Sequence, residues 1–134
     1  AALGDPRVLP GLATCHSVTT FHGQYVGNQV EVEMLTATQW DLQERPAADG
    51  GDAKVVMRSR PGRGEDIQEW HLLRRFDFHH ARQTMSVVAR ELTAPDSPPR
   101  VYCKGSFEKI ANICTKESVP ADYHARARQY ALDG

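Results

Sequence analysis

The sequence predicts an α+β fold, an antiparallel, twisted β-sheet flanked by helices. Strand-like runs rich in β-branched and aromatic residues follow one another from Lys54 to Lys104, separated by Gly/Pro/Asp-rich turns. Helical patterns fall before and after this block rather than between its strands. The order is therefore strand, helix, several strands, helix pair, which favours an antiparallel sheet with helices packed against it. At 134 residues the chain has material for one core and one domain.

Taken in order, residues 1–12 are broken by glycine and proline and read as a lead-in, with a short helical turn around Leu12 to His16. Ser17 to Phe21 has strand chemistry, and His22-Gly23 turns the chain. Asn28 is suited to cap a helix over Val30 to Thr38, where Val30, Met34 and Ala37 recur at i, i+4 and i+7 and define its expected face. A short strand is predicted at Trp40 to Leu42, a variable surface loop at Arg45 to Asp52, and a strand at Lys54 to Arg58. A second loop runs to Asp66. Ile67 to Phe76 and Thr84 to Leu92 are the next strands, and Arg100 to Lys104 pairs back after the Pro-rich turn Thr93 to Pro99. Ser106 is a good N-cap for a helix over Phe107 to Cys114, and Val119-Pro120 is predicted to open a last helix running to about Leu132.

Charge excludes one class of partner. Sixteen Lys and Arg stand against seventeen Asp and Glu, so the chain lacks the concentrated cationic surface that duplex nucleic acid requires. The Arg58-Ser59-Arg60-Pro61-Gly62-Arg63 cluster is the local exception. No apolar run approaches the roughly 20 residues of a membrane span, and the piece is expected to be soluble. Cys15, Cys103 and Cys114 are an odd, widely spaced set without a C-x-x-C pair, as expected for reduced cytosolic thiols. A first residue other than methionine suggests a domain excised from a longer chain.

The stretch Phe76-Asp77-Phe78-His79-His80-Ala81-Arg82-Gln83-Thr84-Met85-Ser86-Val87-Val88, with Lys104-Gly105-Ser106 after it, reads as a nucleotide grip. An aromatic at a bend, polar and basic residues, a strand, and a strand-ending Lys-Gly at a helix start could together sandwich a purine and reach its phosphates. No G-x-x-x-x-G-K-[ST] or G-x-G-x-x-G occurs, so a nest of backbone amides is not the phosphate holder. Alternation puts Phe76 and Phe78 on one strand face, which leaves a core ring as the alternative to a ligand-facing Phe78. Cys15-His16 and His79-His80 invite a metal, but adjacent pairs lack the spacing of a tetrahedral site, so no metal is expected.

Ala13-Thr14-Cys15-His16-Ser17, Val26-Gly27-Asn28, Thr38-x-Trp40, Phe78 with Met85-Ser86-Val87, and Lys104-Gly105-Ser106-x-Glu108 together resemble the nucleotide-binding (N) domain of P-type ATPases, in order and spacing over nearly the whole chain. Thr14-Cys15-His16-Ser17 and the tail Cys114…Glu117-Ser118-Val119-Pro120 are similar to the fifth class, B branch, associated with polyamine export. Asn28-Gln29, His79-His80 and Phe107 depart from the usual residues of that class.

The resemblance implies ATP as ligand, with Mg2+ in the parent enzyme, and places Phe78 against the purine and Lys104 deep in the pocket near base or phosphate. It sets Glu31 near the purine amino group, although Glu31 would equally suit an exposed helix position. Gln83 is expected to hydrogen-bond base or ribose, and His80 to add a stacking or pH-dependent contact. Gly105, Arg82, Met85 and Ser86 complete the expected lining, Met85 also being suited to the core. It further implies phosphorylation and actuator domains of a membrane pump as partners, in a late endosomal, lysosomal or vacuolar membrane, and an arginine beyond the last helix contributing to the site. Because Asp-Lys-Thr-Gly is absent, this chain alone is not expected to turn over. The alternative is a protein-interaction or regulatory module that keeps the fold with little nucleotide affinity.

Overall fold

A computed structural model describes residues 5–60 and 65–133. Helix α1 spans Leu9–Thr14, the hairpin strands β1 and β2 span Thr19–Phe21 and Gln24–Val26, and helix α2 spans Gln29–Thr38. Strands β3 (Asp41–Arg45), β4 (Lys54–Arg58), β5 (Glu69–His79), β6 (Thr84–Glu91) and β7 (Arg100–Gly105) follow, then helices α3 (Phe107–Ile113) and α4 (Tyr123–Asp133). The five later strands form one antiparallel sheet in sequential order, and β1 pairs with β2 alone. Pro61 to Gly64, which includes part of the Arg-rich loop, lies outside the described residues.

Local chemistry explains the boundaries. His22 and Gly23 both take positive φ, 47° and 75°, which fits the right-handed twist of a two-residue hairpin and pairs Phe21 with Gln24. The strand this turn returns into, β2, is three residues long and leaves no periodic signal in the sequence. The Asn28 side chain accepts from the N–H groups of Val30 at 3.0 Å and Glu31 at 3.3 Å, capping α2. Ser106 caps α3 through the Lys109 N–H. Pro120 does not open α4: it holds Val119 extended (ψ 115°) after a 3-10 turn at Lys116–Ser118, and the helix starts at Tyr123. Trp40 is buried just ahead of β3, one residue before the predicted strand becomes regular.

One face of the sheet carries the core. Met57, Trp70, Ala89, Ala13, Val18, Leu35 and Trp40 form one buried cluster, and Cys15, Met85 and Val87 form a second beside Tyr102. Burying each large apolar side chain contributes about 1.5–3 kcal/mol, and α1 and α2 supply the cover. Tyr102 packs so closely on α1 that a Cβ at Gly11 would stand 2.8 Å from its ring. The buried stripe of α2 is Leu35 and Thr38, with Glu31 half-buried one turn earlier; Val30 and Ala37 are exposed. The stripe is therefore displaced by one residue from the predicted one, because a carboxylate occupies an inward position that apolar periodicity overlooks.

β5 bulges twice against β6, between Leu72 and Arg74 and between Phe76 and His79. Each bulge adds one residue to β5 and inverts which face the next residues occupy. Trp70 and Leu72 lie on the core face opposite Glu91 and Ala89, Phe76 lies opposite Ser86 on the other face, and the second bulge brings Phe78 to the Met85 face. Phe76 and Phe78 thus do not share a face, contrary to simple alternation. Phe76 is not core either, being 41% exposed with the Arg74 guanidinium 4.9 Å from its ring centroid.

Candidate functional site

The second bulge sets an aromatic beside the C-terminal end of β7. Phe78, 59% exposed, borders a cavity of about 610 Å³ that also takes in Glu31, Met85, Lys104 and Gly105. That volume lies within the range of small-molecule sites, roughly 300–1,000 Å³. Met85 and Lys104 are directly paired across β6 and β7 and so project to the same side.

Lys104 is not a free cation. Its Nζ pairs with Glu31 Oε1, and the other carboxylate oxygen accepts the Ser17 N–H at 2.9 Å. Burial pushes the Glu31 carboxyl upward, but the hydrogen bonds from Lys104 and from the Ser17 backbone, with the Lys104 charge, outweigh it and the net shift is downward. Lys104 keeps further N–H groups and each Glu31 oxygen a further lone pair, so the pair presents a donor and an acceptor side by side.

The segment 14–17 holds this arrangement from below. Thr14 Oγ donates to the Pro10 carbonyl at 2.7 Å, and the Cys15 thiol lies 3.6 Å from the Tyr102 carbonyl oxygen. Burial, partly offset by the Lys104 charge, pushes the Cys15 thiol up to about 11, so it packs as a neutral group. His16 Nδ1 accepts the Val18 N–H at 3.1 Å while Nε2 reaches the Ala13 carbonyl at 2.9 Å, which fixes the Nε2–H tautomer. Burial lowers the His16 pKa. With both ring nitrogens engaged, Ser17 between them is set to donate to Glu31. Among the described residues no group of three or more potential metal ligands converges.

Gly105 acts through what it lacks. A Cβ there would collide with the Gln83 carbonyl oxygen and stand 2.7 Å from Thr84 Cγ2. The same Gln83 carbonyl accepts the Ser106 N–H at 3.3 Å, and Gln83 itself is left-handed, φ 51°. The structure therefore places the Gln83 backbone at the joint between the β5–β6 turn and α3, and its side chain does not line the cavity. His80 and Arg82 stand in that exposed turn, also outside the lining, and Ser86 faces the opposite side of β6 from Met85. Ser106 lines the cavity with the Lys104-Gly105 end of β7, and Ser17, Gly27, Asn28 and Val30, which the sequence did not single out as site residues, line it too. The cap positions of Asn28 and Ser106 were the signal: each precedes a helix that starts at the rim.

No model of a known protein family matches the chain. Individual relatives do. The chain is 34% identical over 97% of its length to Polyamine-transporting ATPase 13A2 of Homo sapiens and 37% identical over 95% of its length to that of Mus musculus. By sequence, the chain is similar to one segment of the 13A P-type ATPases. It is also 27% identical, over 97% of its length, to Probable cation-transporting ATPase catp-6 of Caenorhabditis elegans. The chain spans only 12% of the human relative and 11% of the other two. The mixed fold, a five-stranded antiparallel sheet with flanking helices, agrees with an N domain of such a pump. No described helix is long and apolar enough to cross a membrane.

Proposed function

We propose that this chain is the ATP-binding domain of a P-type transport ATPase, of the polyamine-exporting branch, and that it presents the γ-phosphate to a separate phosphorylation domain. The observation that carries the reading is an exposed aromatic, Phe78, beside a cavity whose inner wall is the Lys104–Glu31 pair. An adenine fits these groups. Its face stacks on the ring, its amino group donates to Glu31, and its ring nitrogens accept from Lys104. Because Glu31 balances the lysine charge, the pair serves the base edge rather than the phosphates, which extend toward the open rim at Ser106. Mg2+ accompanies the phosphates in the parent enzyme. The phosphorylation and actuator domains are the partners of the same reading, and a late endosomal, lysosomal or vacuolar membrane is its location.

A stack and a few polar contacts must offset the lost freedom of the ligand, so the expected dissociation constant is on the order of 0.1–10 mM. Titration of labelled chain with Mg-ATP, followed by chemical shifts, should move Glu31, Phe78, Lys104 and Gly105. A response confined to Arg58, Ser59 and Arg60 would show that the cavity is not the site.

A further inference from the structure

β5 is a central strand for only part of its length. β4 pairs with it at Glu69, Trp70 and His71, whereas β6 follows it to His79. Among the described residues no strand pairs with residues 72–79 on the β4 side, the first residues of β4, Lys54 and Val55, standing across a cavity from Leu72, so the outward backbone groups beyond it form an open edge. A cavity of about 350 Å³ adjoins the start of this edge, bordered by the first residues of β4 and by Val18 and Thr19. Val18, Leu42, Val55 and Leu72 give it apolar walls, and Glu44, Asp52 and Lys54 stand with them.

Further along, the edge is basic. Residues 72–83 include Arg74, Arg75 and Arg82 with His79 and His80, and their single carboxylate, Asp77, is bound to Arg75 at 2.7 Å. Every residue from Leu73 to Gln83 is exposed. Two such edges meeting would bring two net-basic segments together, which disfavours a second copy of this chain. An acidic segment is attracted by the same charges.

We propose that the free edge of β5 is a docking site for an extended, acidic segment of a partner polypeptide, which adds as an antiparallel sixth strand along residues 72–77. Backbone hydrogen bonds supply the register, an apolar side chain of the partner enters the slot between Val18, Leu42, Val55 and Leu72, and its carboxylates lie toward Arg74, Arg75 and Arg82. An antiparallel partner runs from the hairpin tip toward the slot, so its acidic residues precede its apolar ones.

The probe is a short synthetic peptide of alternating valine and threonine led by a run of glutamates, with a lysine-led peptide as control, each added to the full chain. The expected result is slowed amide hydrogen exchange within residues 72–77, with the glutamate-led peptide binding about tenfold or more tighter than the control. Arg74→Glu with Arg75→Glu should erase that preference while the exchange of Trp70 and Val87 amides shows the core intact. If that double variant does not fold, Arg82→Glu in the exposed turn should reduce the preference alone. Equal binding of the two peptides, unchanged exchange at residues 72–77 under saturating peptide, or self-association of the chain through this edge would each overturn the proposal.

Discussion

The two halves of β5 behave as different materials. Trp70 is 2% exposed, packed in the core with Met57 and Ala89, its ring flanked by Tyr102 at 5.9 Å and the Arg100 guanidinium at 5.4 Å. Beyond the first bulge, from Leu73 to His79, every residue is exposed. The difference does not come from hydrophobicity, since both halves contain large apolar side chains. It follows from neighbours: the first half lies between β4 and β6 under α1, and the second has β6 alone. One half stabilises the fold, and the other displays side chains for contact.

The most severe test of that contrast is truncation of the inner half. Trp70→Ala should remove about 3–5 kcal/mol from the unfolding free energy, because a large ring leaves a cavity that the sheet cannot collapse around. Denaturant titration measures this, and a loss below about 1 kcal/mol would mean that Trp70 does not anchor the core.

Truncation of the outer half should separate stability from binding. Phe78→Ala is expected to weaken ATP binding by about 1–3 kcal/mol, the usual worth of base stacking on an aromatic, with little change in stability. Phe76→Ala should leave ATP affinity unchanged and cost only about 0.5–1 kcal/mol, the scale of its exposed contact with Arg74. Calorimetry with both variants sharpens the comparison: an affinity loss in Phe76→Ala would put the two rings back on one face.

Smaller effects should appear in the pH dependence of stability. His16 is depressed by burial, so the unfolded chain takes up the proton first; its contribution is complete above about pH 6.5 and is lost as pH falls toward the folded value. Stability should decline there with a slope of at most about 1.4 kcal/mol per pH unit, and His16→Asn should remove that slope. Glu31 is also depressed, and its contribution, present above about pH 4.3, is lost only as pH falls through its folded value. Unfolding measured across pH 4 to 7 would expose an error if the variant at position 16 kept the wild-type profile.

The order of elements along the chain, the helix caps at Asn28 and Ser106, and the turn at His22-Gly23 were legible because each depends on residues within one or two turns of chain. The clustering of Met85, Lys104 and Gly105 is also legible, since adjacent antiparallel strands bring them together once their order is known, whereas Phe78 joins them only through the second bulge. The inward position of Glu31 was not legible. Taken alone its carboxylate suits an exposed helix surface, and it turns inward because Lys104, 73 residues away in sequence, meets it there.

By itself, then, the sequence determined the fold class, the order of the elements and the chemistry available near the β5–β6 turn, since these rest on short-range propensity, capping and spacing. Only the tertiary structure decided which face each side chain takes along β5, because two bulges reverse a phase that strict alternation assumes. It likewise decided that Lys104 is charge-balanced, that Gln83 acts through its carbonyl, and that β5 keeps an unpaired edge. Each depends on strand register and long-range packing, and a register shift of one residue changes the facing side chains without changing a single local propensity.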